Sequence, residues 1–340
     1  MRAKWLMAGK TLLMMLAVLL LGGCGSDGKA VQGQAGLIVY SSHPQRFVQP
    51  LVDEFERQTG ITVRIVAGST GELLERVAQE KPVRADVFWG GAISKVEARQ
   101  ELFEQYVSSQ DEALPPSFRN GEGRLTRFTD VPSVLLVNTR LLGAREITGY
   151  GDLLDPGLKG KIAFADPAVS SSAYAHLLNM LAEMGRGDAE AGWEYMQAFC
   201  ANLDGRLLPD SQAVCNGVAQ GRFAVGCTFE EPARLALAEG KPVRLVYMQE
   251  GVHSVPDGVY IVKDTVHREA AQAFVEFLVS REAQQYIVQH LYRRSVRQDV
   301  AAPDGQPLLP PLTSGSAVVG AGAQADILAR FSRCLGKAGQ

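Results

Sequence analysis

Short apolar runs alternate with amphipathic stretches along most of the chain. The run "LIVY", which starts at Leu37, is typical of a buried strand. The next stretch, "PQRFVQPLVDEFERQTG", places Phe47, Leu51 and Phe55 on one face of a helix. Gly60 fits the C-terminal cap of that helix, and "TVRIVA", "GELLERVAQE" and "ADVFWGG" continue the alternation. Strands and helices that take turns predict a parallel sheet that is covered on both faces.

A second alternation begins at "KIAFADP", after the long apolar strand "VPSVLLVNTRLL". Helices are predicted at about residues 172–184, 189–202 and 212–220, followed by the strands "FAVGCTF" and "VRLVYMQ". The chain returns to a strand at "GVYIVK" and to a helical pair at "REAAQAFVEFLVSREAQQYIVQHL", and residues 301–324 are rich in Pro and Gly and predict irregular structure. The predicted fold class is α/β, and 340 residues leave room for two units of ordinary size.

The first residues of the chain follow a different pattern. Arg2, Lys4 and Lys10 precede "TLLMMLAVLLL", an apolar run that is too short to span a bilayer. "LGGC" follows and ends at Cys24, and it resembles the lipobox of bacterial lipoproteins. We therefore predict a signal peptide over residues 1–23, lipid attachment at Cys24 and a polar tether over residues 24–35. This places the protein in the cell envelope, anchored to a membrane outside the cytoplasm. An ordinary secretory signal with a chance cysteine is the alternative.

Composition and charge limit the classes of partner and cofactor that the protein can bind. Hydrophobic residues make up 46% and charged residues 21% of the chain, which is typical of a soluble globular protein. The formal charge is −3, and no basic tract or stripe is present, so nucleic acid is excluded as a partner. Neither CxxC nor HExxH occurs, and we predict no metal site and no cofactor. An exported chain can oxidise its cysteines, and the pairing of Cys200, Cys215, Cys227 and Cys334 stays open.

The order and spacing of several stretches resemble the type II periplasmic solute-binding proteins of ABC importers. These stretches are "YSSHP", "LVDEFERQTGITVRIVAGSTGELLERV", "ADVFWGG", "DLLDPGLKGKIAFADP", "GRFAVGCTFEEPA" and "VPDGVYIVKD". The resemblance is to the branch of ferric-ion, phosphonate and hexose-phosphate binders. It implies a monomer with two α/β lobes that close on a ligand, and strands that cross between them near residues 131–138 and 251–259. Lobe one is then 36–130 plus 255–335, and lobe two is 131–254.

Hydroxyl side chains recur where the predicted strands end and helices begin. In open parallel sheets ligands bind at this edge, and the free N–H groups of helix N-termini favour anions there. Each serine taken alone also fits a helix cap, as in the capping box from Ser69 to Glu72. The recurrence predicts a site for a small anionic solute. The candidate ligand-binding residues are Ser42, His43, Ser69, Thr70, Trp89, Gly90, Ser170, Ser171, Ser172, Ser211, Thr228, Glu230 and Asp257.

Different roles are expected within this set. Ser42, Ser69, Thr70, Ser171 and Ser172 are expected to clamp a phosphate, with help from His43. Glu230 and Asp257 are expected to select the organic part of the solute. Two assignments stay open. Trp89 is either a cover for an organic group or a core residue, and Arg127 is either a ligand contact or a surface residue. Asp166 is expected to turn the chain.

The leading ligand is a small phosphorylated or phosphonate compound. Ferric-ion binders of the branch typically use two adjacent tyrosines, and this chain has nine tyrosines but no Tyr-Tyr pair. An iron(III) receptor remains the main alternative, and thiamine or its phosphates, polyamines and other carboxylates also stay open. An enzyme is not expected, since the chain has no GxSxG elbow and His176 and His253 lie in no recognisable catalytic motif. The partner is either an ABC permease or, in a sensory variant, a membrane histidine kinase.

Overall fold

The alternation of strands and helices that the sequence predicts is present in the structure. The computed structural model describes residues 36–302, apart from 92–95, 97, 122 and 144, together with residues 321–338. The strands are β1 (Leu37–Ser41), β2 (Val63–Ala67), β3 (Val87–Trp89), β4 (Thr126–Asn138), β5 (Ile162–Ala163), β6 (Val225–Phe229), β7 (Val243–Val246), β8 (Ser254–Ile261) and β9 (Arg294–Ser295). The helices are α1 (Gln45–Thr59), α2 (Thr70–Gln79), α3 (Ser171–Gly185), α4 (Ala189–Leu203), α5 (Ser211–Ala219), α6 (Glu230–Ala238), α7 (Arg268–Val279), α8 (Arg281–His290) and α9 (Ala321–Ala338).

Local sequence signals account for the ends of the helices. Helix α1 buries the predicted apolar face and ends at Gly60, which adopts a left-handed φ of 72°. The Ser69 hydroxyl accepts a hydrogen bond from the Glu72 amide at the start of α2, so its role as a helix cap is confirmed. Ser170 caps α3 in the same way, through the amide of Ala173.

The sheet has the strand order β2-β1-β3-β8-β4-β6-β5, with β7 and β9 also paired to β4. Strand β1 is parallel to β2 and β3, and β5 is parallel to β6. Every antiparallel pair among the described strands includes β4 or β8. The α/β prediction is confirmed, and the antiparallel pairings mark the two strands that were expected to cross between lobes.

Strand β4 connects two parts of the sheet. Its first half, from Thr126 to Pro132, pairs with β8, and its second half, from Ser133 to Asn138, pairs with β6 and β7. Because β4 is continuous, it connects the elements on its two sides directly. The middle of β4, where its pairing changes from β8 to β6 and β7, is called the crossing below. The carboxyl ends of β1 to β3 lie on one side of this crossing, and the N-terminus of α6 lies on the other.

Two groups of buried side chains flank this crossing. The first core contains residues of α1, β1, β3, α7 and α8, among them Phe47, Trp89 and Phe274. The second core contains residues of β4, β6, α3, α4 and α5, among them Leu135 and Phe199. These two cores, which are named first core and second core below, are the packing basis for a two-part protein.

The end of the chain packs differently from the prediction. Helix α9 begins at Ala321, within the stretch that was expected to be irregular. Phe331 and Cys334 of α9 belong to the second core, and Arg330 binds Glu190 of α4 through two hydrogen bonds. The predicted boundary assigned residues up to 335 to lobe one, whereas this helix packs with α4 in the second core. Its alternation of exposed polar and buried apolar residues explains this packing.

The predicted signal peptide, Cys24 and the tether lie outside the described residues. Within the described part of the chain, none of the helices has both the length and the apolar character needed to cross a membrane.

Candidate functional site

The turn after β1 places His43 in an aromatic pocket. The Ser41 hydroxyl donates to the Trp89 carbonyl at 3.0 Å and accepts from the His43 amide at 3.2 Å. The His43 ring lies 5.1 Å from the ring of Phe47 and 5.7 Å from that of Phe128, measured between centroids. The His43 side chain is only 5% exposed as a result.

His43 has no hydrogen-bond partner at Nε2 among the described residues. Burial, and then the positive charge of Arg293, lower the pKa of His43 well below its ordinary value, so the imidazole is neutral. Nε2 lies 3.8 Å from Oδ2 of Asp257. A neutral imidazole with one open ring nitrogen can exchange a hydrogen bond with a ligand hydroxyl or oxyanion.

Two glycines let the backbone approach this pocket closely. Gly90 and Gly91 have φ values of 98° and 97°, which other residues rarely adopt. A Cβ atom at Gly90 would lie 2.6 Å from Nε2 of His43, and one at Gly91 would lie 2.9 Å from Cγ2 of Thr70. The structure thus brings together His43, Thr70, Gly90 and Asp257, four of the predicted site residues, with Ser42 beside them in the chain.

Trp89 belongs to the core, the second of the two interpretations that the sequence left open, and its ring does not cover a ligand in this conformation. Its side chain is fully buried, with centroid distances of 5.7 Å to the ring of Phe128 and 5.4 Å to that of Phe274. Residue 89 ends a strand of the central sheet, and its side chain points into the first core instead of over the glycines. It supports the His43 pocket from behind.

The predicted site residues from Ser170 to Thr228 belong to local structure, such as helix starts and caps, in this conformation. Ser170 caps α3 and its hydroxyl lies 3.2 Å from that of Ser172. The Thr228 hydroxyl lies 3.1 Å from the Cys215 thiol, and the Thr228 carbonyl is bonded to His176. Ser171 is exposed at the first position of α3. Ser211 begins α5, where the cap is Asp210 and not the serine.

The two glutamates at the start of α6 pair with two consecutive arginines that follow α8. Oε2 of Glu231 accepts from Nε and Nη2 of Arg293 at 3.0 and 2.9 Å, and Nη1 of Arg293 donates to Asp257. Oε2 of Glu230 accepts from Nε of Arg294 at 2.6 Å. These five residues are named the cleft cluster below, and they join α6, next to the second core, to β8 and to the residues that follow α8, next to the first core.

Further contacts surround the cleft cluster. Arg46 of α1 reaches Glu231 at 3.3 Å, and the Tyr247 hydroxyl donates to Glu230 at 2.9 Å. The Arg293 guanidinium lies 4.0 Å above the Phe47 ring, a cation–π contact. A closed pocket between these groups, too tight to hold a water molecule in this conformation, is lined by Asp130, Val131, Pro132, Glu230, Glu231, Tyr292, Arg293 and Arg294.

Burial and charge oppose one another in the cleft cluster. Burial raises the pKa of Asp257, and the charge of Arg293 lowers it only in part. Burial works against the charge of Arg293, yet Glu231 and Asp257 raise its pKa above the ordinary value. Arg293 is shared by Glu231 and Asp257, so a change in any one of these three side chains alters the contacts of the other two.

Asp130 is a further carboxyl group at this pocket, and it gives the folded protein a pH-dependent stability. Burial raises its pKa to about 6, opposed by the Ser254 hydroxyl and Arg294 and reinforced by Glu230. A carboxyl with a raised pKa binds a proton more tightly when folded than when unfolded. Stability is therefore expected to fall as the pH rises from about 4 to about 6, by at most about 3 kcal/mol.

Urea unfolding of the wild type and of Asp130→Asn across this pH range measures the contribution of Asp130. The wild type is expected to lose stability relative to the variant as the pH rises, since the amide does not titrate. Parallel pH profiles of the two proteins would contradict the assignment. The comparison cancels the opposite contribution of His176, whose pKa burial lowers to about 4.

Sequence patterns missed the arginines and Asp130. "LYRRS" contains two consecutive charges after a helix, which resembles a solvated surface, and only the fold brings them to Glu230, Glu231 and Asp257.

Arg127 donates to the Arg119 carbonyl at 3.3 Å and is not part of the cleft cluster. Asp166 accepts from the Ala168 amide and turns the chain as expected. The described residues include no cluster of three or more His, Cys, Asp or Glu side chains arranged to hold a metal ion.

Comparison with known proteins gives the family of the chain. The family model of the bacterial extracellular solute-binding proteins matches residues 37–293. Iron uptake protein A1 of Synechocystis is 27% identical over 300 residues, which is 82% of each chain. A putative 2-aminoethylphosphonate-binding periplasmic protein of Salmonella typhimurium is 23% identical over 260 residues, which is 74% of each chain. These relatives confirm the resemblance that the sequence indicated.

A solved structure agrees with the sequence comparisons. It is described as a two-component system protein that mediates signal transduction, is 29% identical, and superposes with a TM-score of 0.72 over 88% of this chain and all of that one. The family binds small solutes, works with ABC permeases and consists of binding proteins, not enzymes. The chain belongs to the bacterial extracellular solute-binding proteins.

Proposed function

We propose that this solute-binding protein takes up a small phosphorylated or phosphonate solute and delivers it to an ABC permease. The observation that carries the proposal is the convergence of His43, Thr70 and the Gly90–Gly91 backbone at one sheet edge, on the same side of the cleft as the buried Arg293 and Arg294. Hydroxyls, backbone amides and guanidinium groups are the donors that bind phosphoryl oxygens in proteins.

Closure of two lobes around the cleft supplies the mechanism. Lobe one contains the first core and lobe two the second, and β4 and the residues before β8 form the hinge. Solute binds to the open form on one lobe, and the other lobe then closes over it. A lipid on Cys24 would keep the protein beside its membrane partner as a monomer outside the cytoplasm.

A screen of thermal stability tests the ligand class. The purified chain is unfolded and refolded to remove carried-over solute, then mixed with fructose 6-phosphate, a phosphoglycerate, 2-aminoethylphosphonate or ferric citrate. A solute present at 100 times its Kd is expected to add about 2.7 kcal/mol of stability. A shift with one of the phosphorus compounds supports the proposal, and a shift with ferric citrate alone contradicts it.

Iron(III) is the second candidate, favoured by the relative named iron uptake protein A1. Iron(III) favours phenolate and carboxylate oxygens, but the cleft carboxylates Glu230, Glu231 and Asp257 already face arginines.

A sensory role is the third candidate function, favoured by the similarity to the solved structure of the two-component system protein. A binding assay of the purified chain against its candidate permease and against a kinase sensor domain separates import from signalling.

The hydroxyls at the sheet edge have a direct test. The double variant Ser42→Ala, Thr70→Ala is expected to bind an anionic solute more weakly than the wild type. The affinity should fall by about tenfold or more for each hydroxyl lost, because hydrogen bonds to charged groups are strong. Folding stays nearly intact, since both residues are partly exposed. Thr139→Ala, which removes an exposed hydroxyl outside the cleft, is the control. Unchanged affinity in the double variant would return these residues to a purely structural role.

A further inference from the structure

Arg293 and Arg294 are held in an environment that is costly for guanidinium groups. Both residues are buried, with 7% and 8% of their surface exposed. Tyr292, directly before them, has a φ of 58°, a conformation that is strained for a large side chain. Apolar residues of similar size usually stabilise a buried position at least as well as an ion pair does. The strained turn and the two buried charges are therefore more easily explained by binding than by stability.

The partners of the two arginines come from the opposite side of the cleft. Glu230 and Glu231 begin α6 next to the second core, whereas Arg293 and Arg294 follow α8, which packs in the first core. When the two lobes separate, these pairs separate, together with the contacts that Arg46 of α1 makes with Glu231 and Gln212. The guanidinium groups are then left facing the pocket that Asp130 and Pro132 also line.

A guanidinium fork binds a carboxylate and a phosphoryl group with the same geometry. A single oxygen of Glu231, Oε2, accepts from both Nε and Nη2 of Arg293, as one oxygen of a phosphoryl group would. We propose that Arg293 and Arg294 bind the anionic group of the solute, and that Glu230 and Glu231 occupy the same guanidinium groups when the cleft closes without solute. This inference rests on the proposed function and names the cationic residues of its site.

The two glutamates have other stabilising surroundings when they release the arginines. Glu230 accepts from Tyr247 and lies 3.8 Å from Nη1 of Arg234, and both of these residues lie on its own side of the cleft. The other partner of Glu231, Arg46, lies across the cleft on α1, so separation of the lobes leaves the Glu231 carboxylate to solvent. Both glutamates also stand in the first turn of α6, where the helix dipole stabilises negative charge. Exchange of a glutamate for a solute anion therefore leaves no buried charge without compensation.

Substitution of the glutamates and of the arginines should have opposite effects on anion binding. Inorganic phosphate is titrated by calorimetry into the wild type, the double variant Glu230→Gln, Glu231→Gln, and the double variant Arg293→Lys, Arg294→Lys. The glutamine variant is expected to bind phosphate at least about tenfold more tightly than the wild type, because the competing carboxylates are gone. The lysine variant is expected to bind at least about tenfold more weakly, because lysine lacks the fork. Glu190→Gln, which removes a surface partner of Arg330, should leave phosphate binding unchanged.

The outcomes separate this inference from the proposed function. Tighter phosphate binding by the glutamine variant supports the inference, even if the wild type binds phosphate too weakly to measure. Weaker or unchanged binding by that variant overturns it, and a wild type that still responds to an organophosphate then leaves the proposed function standing. If the glutamine variant does not fold, circular dichroism shows this, and the single variant Glu231→Gln, which keeps Arg46 beside it, is used with the same expectations.

Discussion

Replacement of Arg293 by alanine is expected to lower the free energy of unfolding by about 3–5 kcal/mol. The side chain is 7% exposed, donates to both Glu231 and Asp257 and packs on the Phe47 ring. Alanine would leave two buried carboxylates without their shared cation and remove the contact with the ring. Urea unfolding at neutral pH, followed by circular dichroism, measures the loss.

A matched arginine on the surface provides the control for this prediction. Arg330 also pairs with a glutamate and also lies over an aromatic ring, that of Trp193, but its side chain and that of Glu190 are far more exposed. Arg330→Ala is expected to cost at most about 1 kcal/mol, since an exposed pair gains little. Equal losses in the two variants would show that the cleft cluster is not a buried charge network.

Gly90→Ala is expected to destabilise the fold and to abolish solute binding at the His43 pocket. The new Cβ would lie 2.6, 2.9 and 3.0 Å from three atoms of the His43 ring, which is enclosed by Phe47, Trp89 and Phe128. The φ of 98° adds backbone strain of about 1–3 kcal/mol. Thermal unfolding and a binding titration on the same preparation measure both effects.

Gly60→Ala isolates the backbone part of that effect. Gly60 also has a positive φ, 72°, but a Cβ there would meet no atom within 4 Å. The difference between the two alanine variants is then the cost of displacing His43, and Gly90→Ala is expected to be the more destabilising of the two. If Gly60→Ala costs as much or more, the ring is free to move and the pocket is not rigid.

Sequence patterns predicted the elements of the fold because each depends on local periodicity. The apolar face of α1, its end at Gly60 and the cap of α2 at Ser69 are all properties of a few neighbouring residues. Helix α9 was missed because it follows a Pro- and Gly-rich stretch and its apolar face is narrow. Its position became clear only from its packing against α4.

The candidate site was predictable only in part. A strand end identifies the edge at which His43, Thr70 and Gly90 meet, but not which way a strand-end side chain such as Trp89 points. A serine at the start of a helix can either cap the helix or bind a ligand, and Ser170 caps α3 in this structure. The cleft cluster joins residues more than 30 positions apart, from α6, β8 and the end of α8, and no local pattern indicates such a pairing.

Calorimetric titration with matched pairs of solutes tests the central claim most directly. Each pair differs only by its phosphorus group: fructose 6-phosphate against fructose, a phosphoglycerate against glycerate, and 2-aminoethylphosphonate against ethylamine, with ferric citrate alongside. The refolded wild type is expected to bind the phosphorus-containing member of at least one pair and to show no binding of its partner. Binding of ferric citrate alone, or equal binding of both members of a pair, would contradict a cleft built to recognise a phosphoryl or phosphonate group.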